Sequence, residues 1–214
     1  MSTSTHRNSE ERAPEAVVWD FGNVLVRWDP WLAVRDRYTR AEWDDFRSRA
    51  GFDALNLRSD AGLARAEGIA ELEAVDPWLA LVYRHYTNNF AAAVPGPVAG
   101  TSDLVRELAA RGVRQFGLTN WSAEDVHLAP HLAPAIALLE GIVVSGEERI
   151  AKPDPRIFRI LVERHRLDPG SALFIDDSPV NLAAASGLGF RTVLFTGADA
   201  LRAILASAGL ISRP

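Results

Sequence analysis

Cysteine is absent from the sequence, so neither a disulfide framework nor a thiolate site is open to the chain. Any metal it uses must be oxygen-bound, and the absence fits a reducing cytoplasm, the expected location. Long apolar runs are missing too. The longest are strand-sized and broken by charge, far short of the roughly 20 residues a membrane-spanning helix needs, so a soluble chain with no membrane partner is expected. Basic charge is scarce: 23 Lys and Arg stand against 28 Asp and Glu, a net charge of −5, with no dense Lys/Arg stripe. That excludes the electrostatic footprint of a nucleic-acid binder and favours a small-molecule partner. Internal repeats are lacking, and so are low-complexity segments after the first residues. Residues 1–14, MSTSTHRNSEERAP, are polar without the apolar segment of a secretory signal, and read as a disordered leader outside the fold. Nothing in the sequence speaks to oligomeric state.

What is present suits one domain carrying a modest insertion, since 214 residues bury a sizeable core. Short apolar runs recur at Ala16–Trp19, Gln115–Leu118, Gly141–Val144, Ala172–Ile175 and Thr192–Phe195, with helical patterns such as 154–165 and 179–186 between them. Runs apolar on both faces that alternate with helices imply an α/β fold, a Rossmann-like parallel sheet flanked by helices. Ser122 and Asp154 are candidate N-caps, Pro155 suits a first helical turn, and Gly187 a helix end. The stretch 31–94 breaks the alternation, being charged, rich in Ala, Leu and Arg, and periodic at helical spacing. It reads as an inserted helical cap between core segments 15–30 and 95–214. Pro95-Gly96-Pro97 marks a hinge at its exit.

In an open parallel sheet the ligand site lies beyond the carboxyl ends of the strands. Those ends carry polar groups: Asp20 after the first run, Thr119-Asn120 after the second, Asp176-Asp177 after the fourth, with Lys152 in the loop after 141–144. A carboxylate such as Asp20 can attack phosphorus, which divides one difficult displacement into two easier ones. Mg²⁺ held between Asp20 and the acidic pair would offset the repulsion between anions. Lys152 would neutralise charge on the nucleophile and the phosphoryl group. Thr119, with backbone N–H groups at the start of a following helix, would hold phosphoryl oxygens.

The segments WDFGNVLV, LTNW, AKPDPRIF and FIDDSPVNLAAASGLGF resemble, in sequence and spacing, the four motifs of the haloacid dehalogenase-like hydrolase superfamily, over residues 16–196. A helical cap inserted after the first motif is how one large branch of that superfamily is built. The GNV variant is similar to small bacterial sugar-phosphate phosphatases and to the phosphatase domain of soluble epoxide hydrolase. The resemblance implies a phosphatase acting on a small phosphorylated metabolite. It makes Asp20 the nucleophile and a Mg²⁺ ligand, Thr119 and Asn120 phosphate binders, and Lys152 the neutralising cation. It makes Asp177 a direct metal ligand, Asp176 one acting through water, and the main-chain carbonyl of Gly22 a further ligand.

Gly22 is also the departure from the pattern. Phosphatases of this superfamily usually carry a second Asp there, which protonates the leaving oxygen and later activates water. Losing a positioned acid/base typically forfeits about 10²- to 10⁴-fold in rate, roughly 3 to 5 kcal/mol of barrier. A leaving group that needs little help, such as the anomeric oxygen of a sugar 1-phosphate, would tolerate the loss. Asp29 is the nearest carboxyl in sequence, but before Pro30 it reads as a helix N-cap. The gap also feeds two rival readings. Haloacid dehalogenases displace halide with the same aspartate and need neither a second acid nor Mg²⁺, although unneutralised Asp176-Asp177 beside Asp20 would then be costly. A binding module that has lost catalysis would have no use for the nucleophile.

Other polar and aromatic residues fit structural duties better. His127 and His131 are four apart, but Pro130 intervenes and no third zinc ligand is evident. His85, Tyr86, Trp43 and Trp78 suit packing within the cap. Trp28, Trp31 and Trp121 fall near the proposed site, as substrate-facing rings or as packing. Arg58, Arg65 and Arg84 either steer an anion or lie on solvated faces.

Overall fold

A computed structural model describes residues 13–212, and most of the expected leader lies outside the described residues. Five strands form one sheet: β1 (Ala16–Trp19), β2 (Arg114–Thr119), β3 (Gly141–Val144), β4 (Ala172–Asp176) and β5 (Arg191–Leu194). Their order is β3-β2-β1-β4-β5, and every neighbouring pair is parallel. Strand order therefore reverses between β1 and β4, and the crevice at their carboxyl ends is the topological switch point.

Between β1 and β2 the chain leaves the sheet for five helices: α1 (Arg40–Ala50), α2 (Phe52–Asp60), α3 (Arg65–Val75), α4 (Pro77–Asn88) and α5 (Phe90–Ala93). This helical insert buries its own cluster of rings. Trp43 lies 5.2 Å from Phe46 and 5.0 Å from Phe52, which lies 5.1 Å from Tyr86. Aromatic burial on this scale gives the insert an apolar centre separate from that of the sheet. The two crossings between insert and sheet run side by side. Arg27 N–H donates to the Gly96 carbonyl at 2.9 Å, and Val98 N–H to that of Leu25 at 3.0 Å.

Helices cover both faces of the sheet: α6 (Thr101–Ala110) and α11 (Ala198–Ser207) on one, α9 (Pro155–His165) and α10 (Pro179–Ser186) on the other. Alternation along β1 explains the division, because Val17 and Trp19 join the first core and Val18 the second. Covered twice, the central strands are apolar on both sides. Away from the strand ends, Gln115 is a buried polar exception. Its side chain accepts from the Trp19 indole N–H and donates to the Val105 carbonyl, both at 3.0 Å, tying β1 and β2 to α6.

The remaining α-helical pieces among the described residues are the single turns α7 (Ala129–Leu132) and α8 (Ser145–Glu148), beside short 3-10 turns. Asp154 caps α9, its carboxylate accepting from Arg156 N–H, with Pro155 in the first turn. Ser122 does not cap a full helix. Its hydroxyl accepts from Glu124 N–H at 3.2 Å in a turn, and the chain to Leu138 is a series of one-turn pieces. Pro130 and Pro134 cannot supply interior helix hydrogen bonds, which keeps each piece short. Among the described residues no helix is long and apolar enough to cross a membrane.

Candidate active site

Asp20 follows β1 directly, and the sheet sets its backbone by a hydrogen bond from its N–H to the Ile175 carbonyl at 2.9 Å. The turn beyond is tight: N–H groups of Val24, Leu25 and Val26 all converge on the Phe21 carbonyl. The Phe21 ring lies over β2 where Gly117 leaves room, since a Cβ at that position would sit 2.7 Å from the ring. Asp20 is thereby fixed at the switch point with 7% of its surface exposed. Its Oδ1 accepts from Phe21 N–H and from the Lys152 ammonium, both at 2.7 Å. Oδ2 takes no donor among the described residues.

Lys152 is the only lysine in the sequence, and it is 2% exposed. Its Nζ also donates to Asp176 Oδ2 at 2.8 Å. Burial alone would depress this ammonium, but Asp20 and Asp176 outweigh that and hold it above the usual lysine range. Asp176 ends β4 and is fully buried. Ser178 N–H donates to its Oδ1 at 2.8 Å, and the Asn181 amide reaches both its oxygens at 3.1 Å. Asp177 is exposed, and partial burial, then the Asp176 charge, raises its carboxyl above the ordinary range.

Asp20, Asp176 and Asp177 each offer a carboxylate oxygen, and these atoms lie within 4.8 Å of one another. Three carboxylates against one ammonium leave two negative charges, which a divalent ion with hard oxygen preference would balance. Burial above all, and then Asp176, pushes the Asp20 carboxyl up to about 7 despite Lys152. Such a site is short of positive charge. The residues present fit Mg²⁺.

Thr119 ends β2 with its residue fully buried, and its hydroxyl has no hydrogen-bond partner among the described residues. A buried unpaired hydroxyl costs about 1–3 kcal/mol, a cost that a bound oxyanion would relieve. Asn120 spends its carboxamide on Lys152: its Nδ2 donates to the Lys152 carbonyl at 2.9 Å, and its Oδ1 accepts from Lys152 N–H at 2.8 Å.

Asp20, Asn120, Lys152 and Asp177 line a cleft of about 240 Å³ together with Gly22 and Asn23, while Asp176 and Thr119 lie buried behind its lining. Its walls are largely apolar, from Val26, Trp28, Phe90, Val94 and Trp121, and the insert contributes Asn56 and Asp60. Trp31 and Asp29 line a second cavity instead. Asp29 is occupied as an N-cap, accepting from Trp31 N–H at 3.0 Å. Trp43 is buried within the insert, and Trp78 lies beneath the Arg49 guanidinium at 5.4 Å. His127 and His131 do not line the cleft, and His85 pairs with Asp36 at 2.9 Å. Arg58 pairs with Glu71, Arg65 with Asp125, and Arg84 lies 4.0 Å from Glu73. None of the three arginines lines the cleft.

Asp60, Asn56, Phe90 and Asn181 were not singled out by the sequence. Asp60 alone carried a signal. It closes α2, and an acid at the negatively polarised end of a helix is disfavoured unless something else requires it.

Residues 14–189 match the haloacid dehalogenase-like hydrolase family. The chain belongs to that family. This hydrolase is 31% identical over 210 residues to the phosphoglycolate phosphatase of Rhodospirillum rubrum, covering 86% of this chain and 80% of the relative. It is 26% identical over 185 residues to the sesquiterpene phosphatase astK of Aspergillus oryzae, covering 82% and 86%. In fold it resembles a HAD family enzyme of Bacteroides thetaiotaomicron solved as a magnesium complex, with TM-score 0.68 and 21% identity over 87% of this chain and 95% of that one. A dehalogenase structure is similar at TM-score 0.64 and 16% identity, covering 85% and 84%. Family and fold together make the chain an enzyme of hydrolytic type.

Proposed function

We propose that the protein is a Mg²⁺-dependent phosphomonoesterase that acts on a small phosphorylated metabolite through an aspartyl-phosphate on Asp20. The observation that carries this reading is the grouping of Asp20, Asp176 and Asp177 within 4.8 Å of one another, with the Lys152 ammonium on the first two, at the switch point. Asp20, Asp177 and the Gly22 carbonyl would hold Mg²⁺ directly. Asp176, whose oxygens already take Lys152, Ser178 and Asn181, would act through water. The ion supplies positive charge that lets two anions meet and polarises the phosphoryl group.

The chain's own residues do the rest. Phe21 N–H and Lys152 orient the Asp20 carboxylate by its Oδ1, leaving Oδ2 accessible to a reacting partner. Thr119 binds a phosphoryl oxygen with its unpaired hydroxyl, and Asn120 borders the phosphate while keeping the Lys152 loop in place. The helical insert acts as a cap whose closure excludes water during transfer.

Cleft size and lining favour a small organic body carrying one phosphate, because among the described residues Lys152 is the one Lys or Arg lining it. Trp28 and Trp121 offer ring faces to a sugar, and a sugar 1-phosphate has the good leaving oxygen that suits Gly22. The dehalogenase reading requires three clustered carboxylates without a divalent ion, which the raised Asp20 and Asp177 carboxyls weigh against.

The test is a phosphate-release screen over sugar phosphates, nucleotides and small acid phosphates with Mg²⁺, followed by rapid quenching and mapping of any phosphorylated peptide. Phosphate on Asp20, abolished in Asp20→Asn and by EDTA, is the expected result. Metal-independent halide release from 2-chloropropionate would overturn it.

A further inference from the structure

The proposed reaction needs a proton donor and later a proton acceptor, and Gly22 supplies neither. The space facing it is empty of protein: a Cβ built at Gly22 meets no atom within 4 Å. No neighbouring side chain has filled the position. Asp29, the first carboxyl after Gly22 in sequence, is occupied as a cap at another cavity.

Among the described residues one carboxyl lines the cleft outside the three-acid cluster, and it arrives from the insert. Asp60 is the last residue of α2 and shares the cleft with Asp20, Gly22 and Lys152. The Asn56 amide one turn earlier donates to its Oδ2 at 3.0 Å, which fixes the carboxyl's orientation. Two residues on, Gly62 seats the end of the helix against the core. Its φ is +94°, and a Cβ there would lie 2.8 Å from the Arg149 side chain and 3.3 Å from the Gly146 carbonyl. Only glycine fits both the conformation and the gap. The place of Asp60 in the cleft that Asp20 lines is therefore set by packing.

Resting on the function proposed above, we propose that Asp60 is the general acid/base of this enzyme, supplied by the insert in place of a side chain at position 22. As Asp20 attacks, its carboxylate oxygen bonds to phosphorus, the P–O bond to the organic group breaks, and Asp60 gives its proton to the departing oxygen. Water then attacks the aspartyl-phosphate and the bond from phosphorus to Asp20 breaks. Asp60 takes the proton that water loses, which restores the starting state.

Its surroundings suit both roles. Burial foremost, and then the Asp20 charge, lift the Asp60 carboxyl to about 7, where a group both donates and accepts near neutral pH. Lys152 opposes that rise, Asp125 adds to it, and the main chain of Ser122 hydrogen-bonds to Asp60 from the core side. The two arginines closest in sequence to Asp60 are engaged elsewhere, Arg58 by Glu71 and Arg65 by Asp125.

The experiment compares two esters in the Mg²⁺-loaded full chain: an alkyl phosphate, whose leaving oxygen needs a proton, and p-nitrophenyl phosphate, whose leaving group does not. In Asp60→Asn, kcat/KM for the alkyl ester should fall by about 10²- to 10⁴-fold, with a far smaller loss for the nitrophenyl ester. Phosphorylated Asp20 should accumulate, because the second step has lost its base. Asp60→Glu should recover part of the alkyl activity, and Gly22→Asp should recover part of it in the Asp60→Asn background. Equal losses with both esters, or no loss with either, would overturn the role of Asp60 while leaving the phosphatase reading in place. A wild type that never phosphorylates Asp20 would remove both.

Discussion

Asn120 and Lys152 hold one another by two opposed hydrogen bonds, amide to carbonyl at 2.9 Å and main-chain N–H to amide oxygen at 2.8 Å. They come from loops after different strands, β2 and β3. The pair therefore fixes the height at which the Lys152 side chain enters the crevice, and with it the 2.7 Å contact to Asp20. The ammonium has little freedom once its backbone is clamped.

Removing the clamp should cost rate more than fold. Asn120→Ala frees the Lys152 backbone by two hydrogen bonds, and a displacement of about 1 Å at a reacting group costs up to about 10²-fold. The expected kcat is 10- to 100-fold below wild type, with an unchanged circular dichroism spectrum. Asn120→Asp keeps the acceptor and loses the donor, so it should fall between the two. A kcat equal to wild type in Asn120→Ala would show that the lysine is held by its carboxylates alone.

The metal-free protein should lose stability as pH rises. Asp20 and Asp60 are each raised in the folded state to about 7, above the roughly 4 of an unfolded aspartate. The folded state then binds more protons than the unfolded between those values. Stability is greatest below about pH 4 on this account and is lost as pH climbs toward 7, by at most about 1.4 kcal/mol per pH unit for each group. Mg²⁺ favours the ionised Asp20 and should flatten the slope. Thermal unfolding at pH 5 and pH 8, with EDTA and with Mg²⁺, reads both effects. An EDTA sample as stable at pH 8 as at pH 5 would contradict the raised carboxyls.

Much of this arrangement was legible in the sequence because strand ends in a parallel sheet are fixed by chain order. Asp20, Thr119 and Asp176 each end or follow an apolar run, so once the sheet is parallel they share an edge. Lys152 carried a further mark, as the single lysine among many arginines. The segment after Trp121 read as a helix from Ser122, but Pro130 and Pro134 divide it, and the turn residues between them show no clear period. Asp60 stayed hidden for a different reason. It lies 40 positions from Asp20 on a helix whose own apolar pattern concerns only the insert, and its approach to the cleft depends on how Gly62 packs against α8. Side-chain contacts between separately patterned units leave little trace in either pattern.

The same junction holds the last prediction. Arg65, at the start of α3, reaches across to the core loop after β2, where its guanidinium meets both Asp125 oxygens at 2.8 Å. Its main-chain N–H donates to the Glu124 carboxylate, also at 2.8 Å, which satisfies an open donor at the helix start. The pair is only partly buried, at 27% and 14% side-chain exposure. Burial raises the Asp125 carboxyl even with Arg65 upon it, so desolvation consumes part of what the contact gains. A latch of about 1 kcal/mol results, of a size that would favour the proposed cap closure several-fold and still let the cap open on each turnover. Arg65→Ala and Asp125→Ala should each raise KM several-fold, and the double variant should be no worse than either, since both remove one contact. Hydrogen exchange at 61–65 should quicken in all three. Additive losses in the double variant would mean that the two residues act separately, and the insert would then be seated by Gly62 and its neighbours without this ion pair.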